Sequence, residues 1–371
     1  MRRLQRAQAG VSLIELMVAL TIGSLLIVGT ITVYSNSRST FAVNEAIARL
    51  QEQGRFAMTV LEPDIELAGY YGFTNAADTL LLVRGSNPGT VLATAASLRQ
   101  RPLPPLAPEP RRPPGVADSV HACGTNFALD VLTPVEGSND GFELGPASTA
   151  DCEAFGAGAV AGADTLTLRR ASTTTSAPAA GRVQLLAARL RSRTAQMMFA
   201  DGNAPIAPDL DHQIHDLVVR TYYLSRDSDD RADLPSLRMK ALAASGGTPR
   251  FVDTELLVGV EDLQVQFGID TGDYDNDGAV DPGADADDDG TPETDGRATR
   301  YVNPDFPGLD RSQVVAVRLW LRLRSERAEP GFVDARTYRY ADVEYTPAGA
   351  EQGFRRLLLS RTITLRNART L

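Results

Sequence analysis

The sequence is poor in the residues on which many enzymes and metal sites depend. Its 371 residues include only two cysteines and three histidines, which argues against a disulfide-dense scaffold and a zinc site. His212 and His215 stand three apart without surrounding ligands, and we interpret them as polar residues at a strand edge. No phosphate-binding loop, nucleophile elbow or paired-carboxylate motif is recognisable. We therefore expect a protein that is not an enzyme and has no organic cofactor.

Net charge is also small outside one short segment. The formal net charge is -10, but eleven acidic residues between positions 270 and 295 have no Lys or Arg among them. Without these residues the chain is close to neutral. The sequence therefore has no overall positive charge that would attract a nucleic acid, and we predict no direct nucleic-acid binding. The hydrophobic content of 43 % suits a folded protein of one or two domains.

The amino terminus carries a long apolar run behind basic residues. Arg2, Arg3 and Arg6 precede Gly10, and the run extends over residues 11–33 with no small-residue cleavage site behind it. Just over twenty residues are what a helix needs to cross about 30 Å of hydrocarbon. The arginines would hold the start in the cytoplasm. We expect one membrane span, with the rest of the chain outside the inner membrane.

One carboxylate, Glu15, interrupts this run. An acidic side chain in a spanning helix is costly and is usually retained for a partner. Cleavage after Gly10 would make Val11 the new terminus and would place Glu15 fifth, one helical turn from a new α-amine. Opposite charges on neighbouring helices attract strongly in an apolar environment. The alternative is an uncleaved single-span anchor.

The motif "GVSLIELMVAL", residues 10–20, resembles the class III signal of type IV pilins and type II secretion pseudopilins. The resemblance implies that a prepilin peptidase cuts between Gly10 and Val11 and methylates the new amine. It also implies that Glu15 pairs with the terminal amine of a neighbouring subunit during assembly. Val11 departs from the family, which usually has Phe at this position.

The remaining pattern predicts an α+β fold. Apolar residues spaced by three or four follow the span and continue the helix to about residue 61, and Pro63 allows it to end or bend there. Short strands separated by turns come next. They include residues 78–85, 163–170, 215–226, 260–270, 314–325 and 361–368. The basic segment 182–193 is interpreted as packing against this head, with a surface helix as the alternative.

These patterns divide the chain into successive segments. We expect a type IV pilin-like arrangement in which a long N-terminal helix, half transmembrane and half amphipathic, packs on a mainly antiparallel head with insertions. The predicted segments are a leader (1–10), the transmembrane and assembly half of the helix (11–33), its amphipathic half (34–69), and a periplasmic head (70–371) with a proline-rich connection (101–114) and aspartate-rich loops (270–296).

Several segments resemble PilW-type minor pilins, in order and at similar separations. They are "QEQGRFAM" at 51–58, "DIELAGYYGF" at 64–73, "VGVEDLQVQFGID" at 258–270, "VVAVRLWLRLRS" at 314–325 and "TITLRN" at 362–367. The resemblance implies a subunit that primes type IV pilus assembly and resides at the tip, supporting twitching motility, adhesion or DNA uptake.

The same resemblance implies partners and a location. The expected partners are other minor pilins, the major pilin, a tip adhesin, the prepilin peptidase and the inner membrane. The chain would lie in the inner membrane before assembly and in the extracellular pilus afterwards. Two alternatives stay open: a minor pseudopilin of a type II secretion system, and an uncleaved, membrane-anchored, calcium-binding adhesin.

The acidic segment contains a twelve-residue repeat. Oxygen ligands at loop positions 1, 3, 5, 7 and 9 around a glycine at position 6 are typical of the first part of an EF-hand-type loop. Position 12 holds Ala284 or Gly296 instead of the usual Glu. We predict one or two calcium ions here, and the alternative is a solvated acidic loop. The predicted ligands are Asp273, Asp275, Asp277, Ala279, Asp281, Asp285, Asp287, Asp289, Thr291 and Glu293.

The two cysteines, Cys123 and Cys152, lie in a region rich in Gly, Pro and Ala. If the head is exported, an oxidising compartment favours a disulfide between them. PilW-type chains often have Cys where Phe73 stands, so their disulfide pattern is not transferred. The Cys123 to Cys152 pairing is a prediction from the local sequence.

Overall fold

The structure is a computed structural model, and it describes residues 12–73, 77–84, 87–98, 127–142, 144, 151–189, 196–272, 296–307, 309 and 314–368. The chain divides into two compact units, of which the first ends at Gln51 and the second begins at Glu52. One helix contributes to both units, and all the strands belong to the second. The fold class predicted from the sequence, α+β with a mainly antiparallel head, is confirmed.

The first element is helix α1, Leu13–Glu66. Its segment Leu13–Ser35 has a mean hydropathy of 2.3, and its 23 residues are enough for one membrane crossing. Four hydroxyl side chains in this segment donate to helix carbonyls three or four residues earlier, so their polar groups are satisfied within the helix. The segment therefore meets the main requirement of a helix in lipid.

The helix extends past Pro63, a residue that allowed it to end or bend, and it ends at Glu66 within the predicted amphipathic half, 34–69. Proline has no N–H to donate to the preceding turn, but its own carbonyl still accepts the N–H of Leu67 at 3.2 Å. The adjoining residues Asp64 and Ile65 are buried in the head. Tertiary contacts thus hold one further turn that local sequence preference leaves undecided.

The strands form three sheets in the described part of the chain. A four-residue helix, α2 (Ala95–Leu98), follows β2. The strands are β1 (Leu81–Arg84), β2 (Asn87–Thr94), β3 (Val135–Ser138), β4 (Thr165–Thr175), β5 (Gln184–Ala188), β6 (Met197–Phe199), β7 (His212–Ser225), β8 (Ser236–Ser245), β9 (Thr248–Val258), β10 (Val260–Ile269), β11 (Arg300–Val302), β12 (Val314–Arg324), β13 (Tyr338–Tyr340), β14 (Val343–Tyr345) and β15 (Arg356–Thr364).

The larger sheet runs in the order β2-β1-β6-β5-β7-β4-β3, and β7 also pairs with β8, which pairs with β9. All of these pairs are antiparallel except β1 with β6. The first half of β7 pairs with β5, and its second half pairs with β8. Along one edge, this long strand therefore connects the part of the sheet that contains β5 with the part that contains β8 and β9.

One alternative that we kept for this sheet is ruled out in its described part, and one interpretation was wrong. Residues 184–188 form the buried strand β5 between β6 and β7, so the described part of the segment, residues 182–189, packs within the head as predicted and contains no surface helix. A strand buried on both faces shows no alternation, which is why the pattern was ambiguous. His215 lies on a central strand rather than at an edge and is 2 % exposed, with its Nδ1 bonded to the carbonyl of Ser172 at 2.8 Å.

The second sheet has the order β11-β10-β12-β15, and all its pairs are antiparallel. The alternation expected of β12 is observed: Leu319 and Leu321 are fully buried, whereas Arg318 and Trp320 are only partly buried. The last turns of α1 pack on the buried face. A Cβ on Gly54 would collide with the Leu359 side chain, so glycine permits the helix to approach this closely.

Candidate functional site

Glu15 lies in the first turn of α1 and is the only charged residue in Leu13–Ser35. Its Oε2 accepts the backbone N–H of Ser12 at 3.3 Å, an arrangement similar to part of a helix capping box. No ion-pair partner of Glu15 occurs among the described residues. The carboxylate therefore stands exposed at the start of an apolar helix with its charge uncompensated within the described chain.

The predicted processing site cannot be placed beside Glu15. Gly10 and Val11 lie outside the described residues, so cleavage between them stays a prediction. The described helix does show that Glu15 falls within its first turn, where a residue four positions after the new terminus would lie. That position is compatible with the role predicted for Glu15.

The acidic segment is an insertion between two paired strands. β10 ends at Ile269 and β11 begins at Arg300, and these two residues are cross-strand partners. Asp270, which is 1 % exposed, accepts the N–H of Gly272 on one oxygen and that of Gly296 on the other, both at 3.2 Å. A single buried carboxylate thus joins the two ends of the insertion.

All ten predicted calcium ligands, from Asp273 to Glu293, lie outside the described residues. Within the part of the chain that is described, no group of three or more His, Cys, Asp or Glu side chains is arranged to hold a metal ion. The structure therefore locates the stem of the predicted calcium loops, and calcium binding stays a prediction.

The predicted disulfide is described at one end only. Cys152 is fully buried in the larger hydrophobic core, together with Phe127, Leu144 and Phe251. Cys123 lies outside the described residues. The pairing of Cys123 with Cys152 consequently stays a prediction.

A charged cluster at the end of α1, which the sequence analysis missed, connects the helix to the larger sheet. Asp64 is 3 % exposed. Its Oδ1 accepts from Arg170 Nη2 at 2.8 Å, and its Oδ2 accepts from Arg220 Nη1 at 2.6 Å and from the Tyr222 hydroxyl at 2.5 Å. Asp64 falls on the same buried helical stripe as Ala57 and Leu61, and an acid at an apolar position is the signal that was available.

The electrostatics of this cluster favour the ionised carboxylate. Burial alone would raise the pKa of Asp64, but the Tyr222 hydrogen bond and the charges of Arg220 and Arg170 outweigh it and lower the pKa. Burial and the nearby Asp64 carboxylate raise the pKa of Tyr222, which stays a hydrogen-bond donor. The cluster is thus an attachment between helix and head in which two arginines and a tyrosine hold one buried carboxylate.

Two exposed ion pairs accompany this buried cluster. Glu62 contacts Arg361 at 2.9 Å on β15, and Glu66 contacts Arg366 at 2.7 Å just beyond it. The backbone carbonyl of Glu66 also accepts the N–H of Arg366. The last turn of α1 is therefore tied to β15 as well as to the larger sheet.

Comparison with known proteins gives two family matches. Residues 221–367 match the family model described as Type IV Pilus-assembly protein W, and residues 5–31 match the Prokaryotic N-terminal methylation motif. The first match covers the last five residues of β7 and all of β8 to β15, and the second includes Gly10, Val11 and Glu15. A search of curated proteins finds no match.

A solved structure with detectable similarity is a type IV-like pilin from Thermus thermophilus. It is 14 % identical to this chain, the TM-score is 0.25, and the alignment covers 56 % of this chain and 80 % of the other. The family matches bear out the resemblance seen in the amino-terminal motif and in the three segments at 258–270, 314–325 and 362–367. The chain carries a Type IV pilus-assembly protein W domain behind the amino-terminal methylation motif of prepilin-like proteins.

Proposed function

We propose that this protein is a minor pilin that helps to prime type IV pilus assembly and resides in the complex at the pilus tip. The W domain and the methylation motif support a pilus-assembly role. The observation that carries the proposal is Glu15: it is the only charge in the apolar segment and has no ion-pair partner among the described residues. Such a group is retained for a partner that arrives later.

In this proposal, that partner is created by processing. A prepilin peptidase cuts between Gly10 and Val11 and methylates the new amine, whose positive charge then pairs with Glu15 of a neighbouring subunit. The attraction is strong because both groups lie in a medium of low dielectric constant. The helix of each subunit thereby recruits the next one from the inner membrane.

The partners follow from the same step. They are other minor pilins, the major pilin and a tip adhesin, and the chain moves from the inner membrane to the extracellular tip on assembly. Twitching motility, adhesion or DNA uptake would be the outcome. The W-domain match favours a type IV pilus over the alternative of a type II secretion pseudopilin.

The Glu15→Gln variant tests the pairing, since it keeps the size of the side chain and removes its charge. We expect cleavage before Val11 to persist, as shown by the mass of the mature terminus, while incorporation into sheared pili falls at least tenfold. Glu45→Gln is the matched control, because Glu45 lies on the same helix and, among the described residues, forms an ion pair with Arg49 four residues away. Normal incorporation of the Glu15→Gln protein would contradict the proposal, and a mature chain beginning at Met1 would favour the uncleaved anchor.

We also propose that one or two calcium ions order the acidic insertion. Eleven uncompensated charges repel one another, and divalent cations bound by carboxylate oxygens relieve that repulsion. The Asp270 stem supports the proposal because it brings the two ends of the insertion together. Titrating the full chain with calcium chloride in a calorimeter should show saturable binding, which a variant with both Asp275→Asn and Asp287→Asn loses. Absence of binding at millimolar calcium would exclude this role.

A further inference from the structure

Asp164 is a buried carboxylate at the point where the larger sheet meets the second sheet. It immediately precedes β4 of the larger sheet, and its backbone N–H donates to the Leu263 carbonyl of β10 in the second sheet at 2.8 Å. Its side chain is also held: Oδ2 accepts the N–H of Val265 at 2.7 Å, and Oδ1 accepts the N–H of Asp140 at 2.9 Å. This one residue, which is 1 % exposed, thus connects β4, β10 and the loop after β3.

The Asp164 carboxylate has no ion-pair partner among the described residues, and its two bonds come from neutral N–H groups. Other buried acids of the head differ in this respect. Asp64 lies against two arginines, and the nearby Asp262 of β10 lies 3.6 Å from Arg322 and accepts a hydrogen bond from the Tyr340 hydroxyl. Burial without a counter-charge disfavours the ionised form of a carboxyl group.

Three further aspartates lie near Asp164. Asp140 lies in the loop after β3, Asp305 in the turn after β11, and Asp342 in the tight turn between β13 and β14. The Asn303 side chain connects Asp342 to β10, because its Nδ2 donates to Asp342 and its Oδ1 accepts from Gln266 at 3.0 Å. No described Lys, Arg or His forms an ion pair with any of the three. Together with Asp164 they form a group that we call the acidic joint.

Burial and the neighbouring charges act on Asp164 in the same direction. Burial, with the charges of Asp342 and Asp140, outweighs the two N–H bonds and raises the pKa of Asp164 to about 7. The pKa of Asp140 is raised as well, by burial and by the surrounding acids. The acidic joint therefore holds a proton under conditions in which an ordinary aspartate has lost it.

We propose that the acidic joint is a proton-operated switch, which holds the two sheets together while Asp164 carries a proton and loosens when that proton is lost. The proton removes the one fully buried charge and leaves a neutral group whose oxygens can still accept the two N–H bonds. Its loss adds a charge beside Asp140 and Asp342 where little water reaches it, so the loops that carry them should move away from β10. The switch needs neither the role proposed for Glu15 nor calcium.

The direction of the pH effect follows from the unfolded chain, in which an aspartate has a pKa near 4. Between pH 4 and pH 7 the folded protein holds a proton that the unfolded chain has released. The stability that Asp164 contributes is therefore greatest below pH 4, falls as pH rises, and is lost above about pH 7. An acid whose folded pKa is lowered, such as Asp64, contributes no slope between pH 5 and pH 8.

The first test is an NMR titration of the full chain, deuterated and labelled with nitrogen-15, in detergent with EDTA to remove divalent cations. The N–H groups of Asp140 and Val265 each bond to one oxygen of Asp164, so both chemical shifts should change together with a midpoint near pH 7. A midpoint below pH 5, or no change between pH 5 and pH 8, would overturn the inference. This measurement needs no variant.

The second test is Asp140→Asn, which removes a neighbouring charge and keeps the N–H that bonds to Asp164. Asparagine also tolerates the positive φ of 56° at this position. We expect the titration midpoint at Val265 to fall by about half a pH unit, since one of the charges that oppose ionisation is gone. Asp233→Asn is the matched control, because Asp233 is an exposed aspartate on another turn with a φ of 62°, and it should change nothing. An unchanged midpoint in Asp140→Asn would overturn the part given to the neighbouring acids.

The third test is Asp164→Asn, which removes the titrating group itself. Between pH 5 and pH 8 the urea midpoint of the wild type should fall by about 0.5 M more than that of the variant, whatever the absolute stability of the variant. Equal slopes in the two proteins would contradict the switch. If Asp164→Asn does not fold, the titration of the wild type and of Asp140→Asn decides the matter.

Discussion

Each end of α1 carries a carboxylate, and the environments of the two carboxylates are opposite. Near the start, Glu15 lies exposed in an apolar helix, and none of the described residues forms an ion pair with it. Near the end, Asp64 is buried and receives hydrogen bonds from two arginines and a tyrosine of the same chain. The chain neutralises the acid that it buries and leaves the other acid available.

This difference separates two tasks of one helix. The Asp64 cluster attaches the helix to the sheets of the head, and no second molecule is needed for it. Glu15 contributes nothing comparable to the fold, so changing it should alter assembly without altering stability. Variants at the two ends should therefore affect different measurements.

The largest effect on stability is expected for Asp64→Asn, which keeps the shape of the side chain and removes its charge. Arg170 and Arg220 would then lie together without a counter-charge, and breaking such a buried pair costs about 3 kcal/mol. Urea unfolding of the full chain in detergent, followed by fluorescence of Trp320, the only tryptophan, should show a lower midpoint. Glu15→Gln should leave that midpoint unchanged.

The Asp64 cluster should make the stability difference between wild type and Asp64→Asn depend on pH. The pKa of Asp64 is lowered in the folded state, so its contribution is fully present above the unfolded value near 4 and is lost as pH falls through the lower folded value. The gap between wild type and Asp64→Asn should therefore be constant near neutral pH and should narrow below about pH 4. A gap that persists at pH 2 would mean that lost packing, rather than charge, causes the effect.

The smallest effect is expected for Glu62→Gln, one turn before the end of the helix. Its partner Arg361 is more than half exposed, and surface pairs of this kind contribute about 0.5 kcal/mol. The urea midpoint should shift by no more than a few tenths of a molar, less than for Asp64→Asn. If the urea midpoint fell as far in Glu62→Gln as in Asp64→Asn, burial would not explain how much each ion pair contributes to stability.

Much of the architecture was predictable because its signals are local. The apolar run gave the start of α1 within two residues, and the alternation in residues 314–325 gave β12 almost to the residue. The predicted strand at 260–270 is β10, Val260–Ile269. By contrast, the predicted strand at 361–368 begins five residues earlier, at Arg356, whose burial depends on Glu261 from another strand.

The interactions that were missed join residues far apart in the chain. Asp64 and Tyr222 are separated by 158 positions, and no local pattern specifies that they meet. Glu15 was found because a single charge within an apolar run is visible in the sequence itself. The acidic repeat was visible for the same reason, whereas its closure by Asp270 was not.

Glu62 contacts Arg361 and Glu66 contacts Arg366, so the last turn of α1 and the chain at the end of β15 run in the same direction, which affects how the head responds to force. A force along the helix would act on the contacts of Glu62, Asp64 and Glu66 in shear. The three contacts would then bear the force together and would not break one after another. Resistance then comes from the sum of several bonds rather than from the weakest one. The last turn of α1 is thus attached to the head in a way that resists tension along the helix.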